Sequence, residues 1–357
     1  MAGWLFAAWL VLSLAGCAAQ PSGTSPAASA NGQPLMQQTI FVATTRTFPD
    51  SANSGDAAGR SAELNYLRQT FSFRRAAGSD RGDPLPSNTA ISGKISVASP
   101  QQIEGGAFAD SLAASQPGRK PQIGVFVHGY NTTYDEAVAH VAEMAAGVDG
   151  ALTPVLFAWP SSGRPTGYVA DRDAAAFSRD GLAELILQLT SDQRLGEVTI
   201  IAHSMGALLT VEALRQLRLG GETRRFSGLR VILAAPDIDI DLFRTQINKI
   251  GPLPNPMILL VSPDDRILRL SGRIGGDRRR LGSLSGDDPR VAAGAREAGL
   301  VVVDISGATG GNSLNHDKYI ELANRYKNLA STKEMILRRR SGAYLLDPGG
   351  LKLISGD

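Results

Sequence analysis

The sequence predicts an α/β fold: a mostly parallel central sheet with helices on both faces and a short antiparallel N-terminal part. Three observations predict it. Short continuous apolar runs recur at residues 123–127, 154–158, 198–201, 231–235, 257–261 and 301–305, the pattern of strands buried on both faces. Helical spacing fills several gaps between them, which implies crossover connections and a parallel sheet. Two β-branched stretches, 40–43 and 91–98, come before any predicted helix, with the Gly- and Ser-rich loop 49–59 between them. They read as antiparallel strands.

In chain order, residues 4–14 are apolar, too short to span a bilayer comfortably, and end in small residues. That is the form of a signal-peptide h-region with its cleavage site. Residues 17–36, rich in Ala, Ser, Gly and Pro, read as a flexible tether. The domain is expected over 37–340, followed by a C-terminal tail at 341–357. Inside it, helices are predicted at 134–146, around Leu182, Leu185, Ile186 and Leu189, and around Leu208, Val211 and Leu214. Gly220 and Gly221 would end the third. A last helix is expected at 318–340.

Composition narrows the function. The 357 residues carry a net charge of only +2, so no global field favours a nucleic-acid partner. The runs 278–280 and 338–340 are all arginine. They read as solvated surface, with an anionic substrate or lipid head group as the alternative for the first. Cys17 is the only cysteine, so no intrachain disulfide supports the core. Neither a metal-ligand cluster nor a G-K-[ST] phosphate loop is present, and no cofactor is expected.

Chemistry concentrates in Ala202-His203-Ser204-Met205-Gly206, between an apolar strand and an amphipathic helix. This segment resembles the nucleophile elbow, a tight strand-to-helix turn that lifts a serine hydroxyl clear of the sheet. The positions two before and two after the serine must be small, and here they are Ala202 and Gly206. Val127-His128-Gly129-Tyr130-Asn131, at the end of an earlier strand, resembles the segment that supplies half of an oxyanion hole. The backbone N–H groups of Met205 and Tyr130 are the expected donors. His128 is expected to brace its loop.

The serine requires a base, and there are four histidines. His140 sits on a predicted helix, and His203, the elbow's variable residue, should point away from the serine. His316 follows the last buried strand in a polar loop, where the general base of the α/β-hydrolase fold lies. For the acid, Asp265 in Val261-Ser262-Pro263-Asp264-Asp265-Arg266-Ile267 resembles the fold's acid turn. Asp264 and Asp237 are the alternatives.

Phe41 to Arg46, Phe126 to Asn131, Phe157 to Ser161, Ala234 to Asp237 and Ser262 to Arg269 together resemble the bacterial α/β-hydrolase family of unknown function. The resemblance implies the fold and a hydrolase activity without fixing a substrate. A carboxylesterase with a Ser204–Asp265–His316 triad is the expected function, acting on a small-molecule or lipid-like acyl ester. An acyltransferase with the same triad, or a non-catalytic envelope lipoprotein using the fold as a scaffold, are the rivals. Finally, Leu14-Ala15-Gly16-Cys17 resembles the lipobox of bacterial lipoproteins. It implies that residues 1–16 are removed and that Cys17 carries the lipid. Ala18 stands where an inner-membrane retention signal would place Asp, so the outer membrane, facing the periplasm, is expected.

Overall fold

The structure, a computed structural model, describes residues 35–47, 59–74, 96–147, 152–308, 316, 341–347 and 350–354. All of them fall in one compact unit, Gln33–Asp357. Cys17, residues 1–34 and the expected helix 318–340 lie outside the described residues.

Strand β1 (Leu35–Arg46) opens the domain and pairs antiparallel with β2 (Arg60–Arg74). The short strands β3 (Ser96–Val97) and β4 (Gln101–Ile103) pair antiparallel with β2 in turn. This is the expected antiparallel start, with β2 as a strand that periodicity alone did not reveal. Helix α1 (Gly105–Ala114) then leads to β5 (Ile123–Val127).

From β5 the chain alternates. Helix α2 (Tyr134–Gly147) precedes β6 (Thr153–Ala158), and α3 (Tyr168–Ser191) precedes β7 (Val198–His203). Helix α4 (Met205–Leu219) is followed by β8 (Leu229–Ala234), and α5 (Ile240–Ile250) by β9 (Ile258–Val261). Helices α6 (Arg266–Ile274) and α7 (Pro289–Glu297) separate β9 from β10 (Val301–Asp304). Gly220 caps α4, as its sequence suggests.

With β11 (Gly342–Asp347) and β12 (Gly350–Ile354) closing the chain, strand order is β12-β11-β10-β9-β8-β7-β5-β6-β1-β2-β3. Every neighbouring pair from β11 to β1 is parallel. Only the margins are antiparallel: β12 pairs with β11 at one end, and β2 with β1 at the other. Strand side chains alternate between two cores. Phe41, Val125, Val127 and Phe157 pack on one face with α3 and α4; Val42, Phe126 and Leu156 pack on the other with α2. Both faces are therefore covered, which is why these strands read as unbroken apolar runs. The chain leaves β5 for β6 on one side, then crosses to β7 on the other. In open parallel sheets, ligands bind beyond the carboxyl ends of the strands at such a reversal, here β5 and β7.

The described residues after Arg340 are not a tail. They supply β11 and β12, and Ala343, Tyr344 and Leu346 are buried. The sequence reading placed them outside because the apolar run is short and follows a long polar segment. Deleting 341–357 would bare the edge of β10 and lose two large buried side chains. Unfolding free energy should fall by roughly 3–6 kcal/mol, measured by urea titration of the truncated and full chains.

Candidate active site

Strand β7 ends at His203 and α4 begins at Met205, so Ser204 alone makes the turn. Its backbone is held at φ 52° and ψ −117°, a region non-glycine residues avoid and one that costs about 1–3 kcal/mol unless its surroundings enforce it. Three hydrogen bonds enforce it. Ser204 N–H donates to the Ala234 carbonyl (2.9 Å), and the Ser204 carbonyl accepts from Ala207 (3.0 Å) and Asp237 (3.2 Å). The end of β8 thus clamps the elbow from both sides. Gly206 cannot be larger: a Cβ there would stand 2.4 Å from the His128 carbonyl and 2.6 Å from that of Val127. Met205 opens α4, and the first N–H groups of a helix have no intrahelical acceptor.

The loop after β5 presses on this turn. A Cβ on Gly129 would lie 2.9 Å from His203 Nδ1 and 3.2 Å from Ser204 Cβ, so glycine is what lets the backbone leading to Tyr130 approach the serine. His128 is buried and stacks on Trp159, with ring centroids 4.8 Å apart and planes 8° from parallel. Its ring nitrogens face the carbonyls of Gly129 and Trp159 at 3.0 and 3.1 Å. Burial first, and then the Arg46 charge, push its pKa down to about 3. A ring that stays neutral at physiological pH in this way is a brace, as the sequence suggested.

Asp171, near the start of α3, fastens the same loop. It accepts from the Asn131 N–H (3.0 Å), the Ser161 hydroxyl (2.6 Å) and the Ser162 N–H (2.7 Å). Arg46, at the end of β1, donates to the carbonyls of Trp159 (3.1 Å) and Ser161 (2.8 Å). Tyr130 donates its hydroxyl to the Pro165 carbonyl and meets the Tyr168 ring edge-on at 5.4 Å. The loops after β1, β5 and β6 are therefore one hydrogen-bonded unit. Sequence reasoning missed Asp171 and Arg46. The usable signal was a charged residue closing a strand, or opening a helix, at the carboxyl edge of a parallel sheet.

Asp265 and His316 are 51 positions apart, and the structure brings them together: His316 Nδ1 lies 2.7 Å from Asp265 Oδ2. Asp265 is fully buried, and its other oxygen accepts from the Leu268 N–H (2.9 Å), capping α6. The cap fixes the carboxylate and aims its free oxygen at the imidazole. The His203 ring, expected to point away from the serine, packs against His316 with centroids 4.6 Å apart. Its own pKa is held well below the usual histidine range, mainly by burial and then by the His316 charge. His316 is thus held by Asp265 on one ring nitrogen and flanked by the residue adjoining Ser204. A Ser204–His316 hydrogen bond is not among the contacts of the described residues; such bonds are often long before substrate binds.

The alternative acids have other partners. Asp237 is buried against Arg280 (Nε at 3.2 Å), and it accepts from the hydroxyls of Tyr168 (2.9 Å) and Ser271 (2.7 Å). Asp264 is half-buried and accepts from the Ser262 hydroxyl. Trp159 and Tyr168 are buried within these networks.

Two outcomes follow. Asp237→Ala would strand the Arg280 charge in the interior, so unfolding free energy should drop by roughly 3–5 kcal/mol in urea titrations. His128 has a folded pKa (about 3) below its ordinary 6.5, so below about pH 6.5 the unfolded chain holds the extra proton and stability falls as pH drops. His128→Gln should flatten that acid limb by up to about 1.4 kcal/mol per pH unit. An unchanged slope would show that the ring titrates normally.

Comparison with known proteins agrees with this architecture. The family described as "Alpha/beta hydrolase of unknown function (DUF900)" matches residues 107–335. An uncharacterized protein of Nostoc sp. (strain PCC 7120 / SAG 25.82 / UTEX 2576), alr1448, is 29% identical over 115 residues, covering 25% of this chain and 30% of that protein. The chain thus spans less than a third of that relative's length. Matched over more than half its own length and built on the sheet and elbow described above, the chain belongs to the α/β-hydrolase family of unknown function.

Proposed function

We propose that the chain is a serine hydrolase that cleaves carboxylic esters, with Ser204 as nucleophile, His316 as general base and Asp265 as the orienting acid. One observation carries this reading: the 2.7 Å contact between His316 Nδ1 and the buried Asp265 carboxylate, beside a serine whose strained turn has no other evident purpose. Nδ1 engaged in this way leaves Nε2 as the nitrogen that takes the serine proton.

Attack of the Ser204 oxygen on the acyl carbon forms the tetrahedral intermediate as the hydroxyl proton passes to His316. The Met205 and Tyr130 N–H groups receive the oxyanion, aided by the positive end of α4. His316 returns the proton to the departing alkoxide, and Asp265 stabilises the imidazolium meanwhile. Water, activated by the same imidazole, then releases the acid and restores Ser204. An ester is the better substrate for this machinery, because its leaving group needs less help than an amide's. The substrate is a small or lipid-like acyl ester. The protein itself is anchored through lipid on Cys17, in the outer membrane facing the periplasm.

A fluorophosphonate probe tests the site. Wild type should label, and Ser204→Ala should not. Asp265→Asn should slow ester turnover by about 10⁴-fold while the protein remains folded, and Asp237→Asn should not reproduce that loss per folded molecule. Labelling that persists in Ser204→Ala would mean another residue is the nucleophile. For the anchor, metabolic fatty-acid labelling should vanish in Cys17→Ala.

A further inference from the structure

Residues 266–280 contain six arginines and one acid, Asp277, in a chain whose net charge is only +2. Two of the six are neutralised locally. Arg278 pairs with Asp239 (3.2 Å) and Asp241 (2.9 Å), and Arg280 with Asp237. Arg266, Arg269 and Arg273 are exposed and make no ion pair among the described residues, and Arg279, also exposed, has only the longer-range field of Asp288, whose pKa it helps to lower. Arg269, Arg273, Arg278, Arg279 and Arg280, with Asp277 as the one carboxylate, line an open cleft of about 240 Å³.

The apolar side chains on the same face need a separate explanation. Helix α6 buries Leu268, Ser271 and Gly272 against the domain. On its outer side Leu270 (45% exposed) and Ile274 (56% exposed) stand one turn apart, neighbours on the helix surface. Arg266, Arg269 and Arg273 run beside them. A single exposed leucine means little, but an adjacent apolar pair bordered by uncompensated arginines is the composition of a helix that lies in a membrane interface.

This surface is also tied to the sheet. The segment closing the loop donates from Leu281 to the Ile238 carbonyl (2.8 Å) and from Gly282 to that of Pro236 (2.9 Å), while Ser262 donates to Gly282 (2.8 Å). It is therefore fastened to the carboxyl ends of β8 and β9, and α6 itself starts from Asp265. The basic face borders the rim that carries the candidate site.

We propose that α6 and the loop 275–280 dock on a bilayer carrying anionic phospholipid. The free guanidinium groups meet head-group phosphates, and Leu270 and Ile274 enter the acyl boundary. A nucleic acid or soluble polyanion would use the arginines but leave the apolar pair without a role. The inference rests on neither Ser204 chemistry nor lipid on Cys17, and its readout is binding, not turnover.

The test uses the full chain carrying Cys17→Ser, with vesicles of phosphatidylcholine alone or mixed with phosphatidylglycerol. The mixed vesicles should bind more tightly, and added salt should remove the difference. Replacing three arginines together (Arg269→Gln, Arg273→Gln and Arg279→Gln) should lower partitioning into mixed vesicles by on the order of 100-fold, about fivefold per arginine, with little change for phosphatidylcholine. Leu270→Ser with Ile274→Ser should weaken binding to both. The proposal is overturned if the parent chain shows no salt-sensitive preference or if the triple variant binds as the parent does. It also fails if the serine pair changes nothing, or if millimolar glycerol phosphate displaces the protein, which would make the cleft a pocket for soluble phosphate.

Discussion

Ser204 occupies a backbone conformation that an isolated chain would leave at once, and much of the surrounding rim is arranged to prevent it. Its N–H and carbonyl are tied to β8 at Ala234 and to Asp237 just beyond it, and Gly206 and Gly129 remove the side chains that would push the turn open. Each device would be pointless if the serine were only a helix cap. Indeed Ser204 makes no side-chain cap bond to α4, although capping is the commonest structural use of serine at that position. Backbone strain of this kind, held in place by its surroundings, clusters at functional positions.

The same turn connects to the basic face. Asp237 holds the elbow through its N–H, while its carboxylate holds Arg280 in the interior. Arg280 in turn donates to the Ser271 carbonyl of α6 (2.8 Å). One buried ion pair therefore joins the elbow, the basic loop and the helix capped by Asp265. Breaking such a pair costs far more than its net contribution to stability, so its effect is to fix geometry. A surface seated on lipid through α6 would keep a set orientation relative to Ser204 because the Asp237–Arg280 pair and the Ser271 carbonyl tie the two together.

Most of the parallel strands were legible because burial on both faces leaves an unmistakable apolar run, and the elbow was legible because its small residues are sterically required. Strand β2 was hidden: at the sheet margin it mixes polar and apolar residues without a regular period, Asn65, Arg68, Gln69 and Thr70 among Tyr66, Leu67 and Phe71, so it shows neither a buried run nor an alternation. Strand β11 escaped for another reason: its apolar run, Ala343 to Leu346, is short and follows a long polar segment. Within the site, Ser204 and the loop of Gly129 could be read from local spacing. Asp171, Arg46 and Arg280 could not, because a buried charge is justified only by partners far away in the chain. The position of His203 against His316 was likewise invisible, since the direction of that ring depends on where a distant loop returns.

Asp237 and Asp265 show why the acid could not be settled from sequence. Both follow parallel strands at the same rim, and both are buried. What separates them is what already surrounds each carboxylate. Asp237 faces a guanidinium at 3.2 Å and two hydroxyl donors, so its charge is compensated before any imidazole could approach. Asp265 has one oxygen held by a backbone N–H and the other against the His316 ring, with no arginine or lysine side-chain nitrogen within 4.0 Å of its carboxylate among the described residues. A carboxylate can stabilise a developing imidazolium only with charge that no fixed cation has taken up. The difference between a structural acid and a candidate catalytic one thus lies not in the residue or its strand, but in whether Arg280 or His316 arrives to meet it.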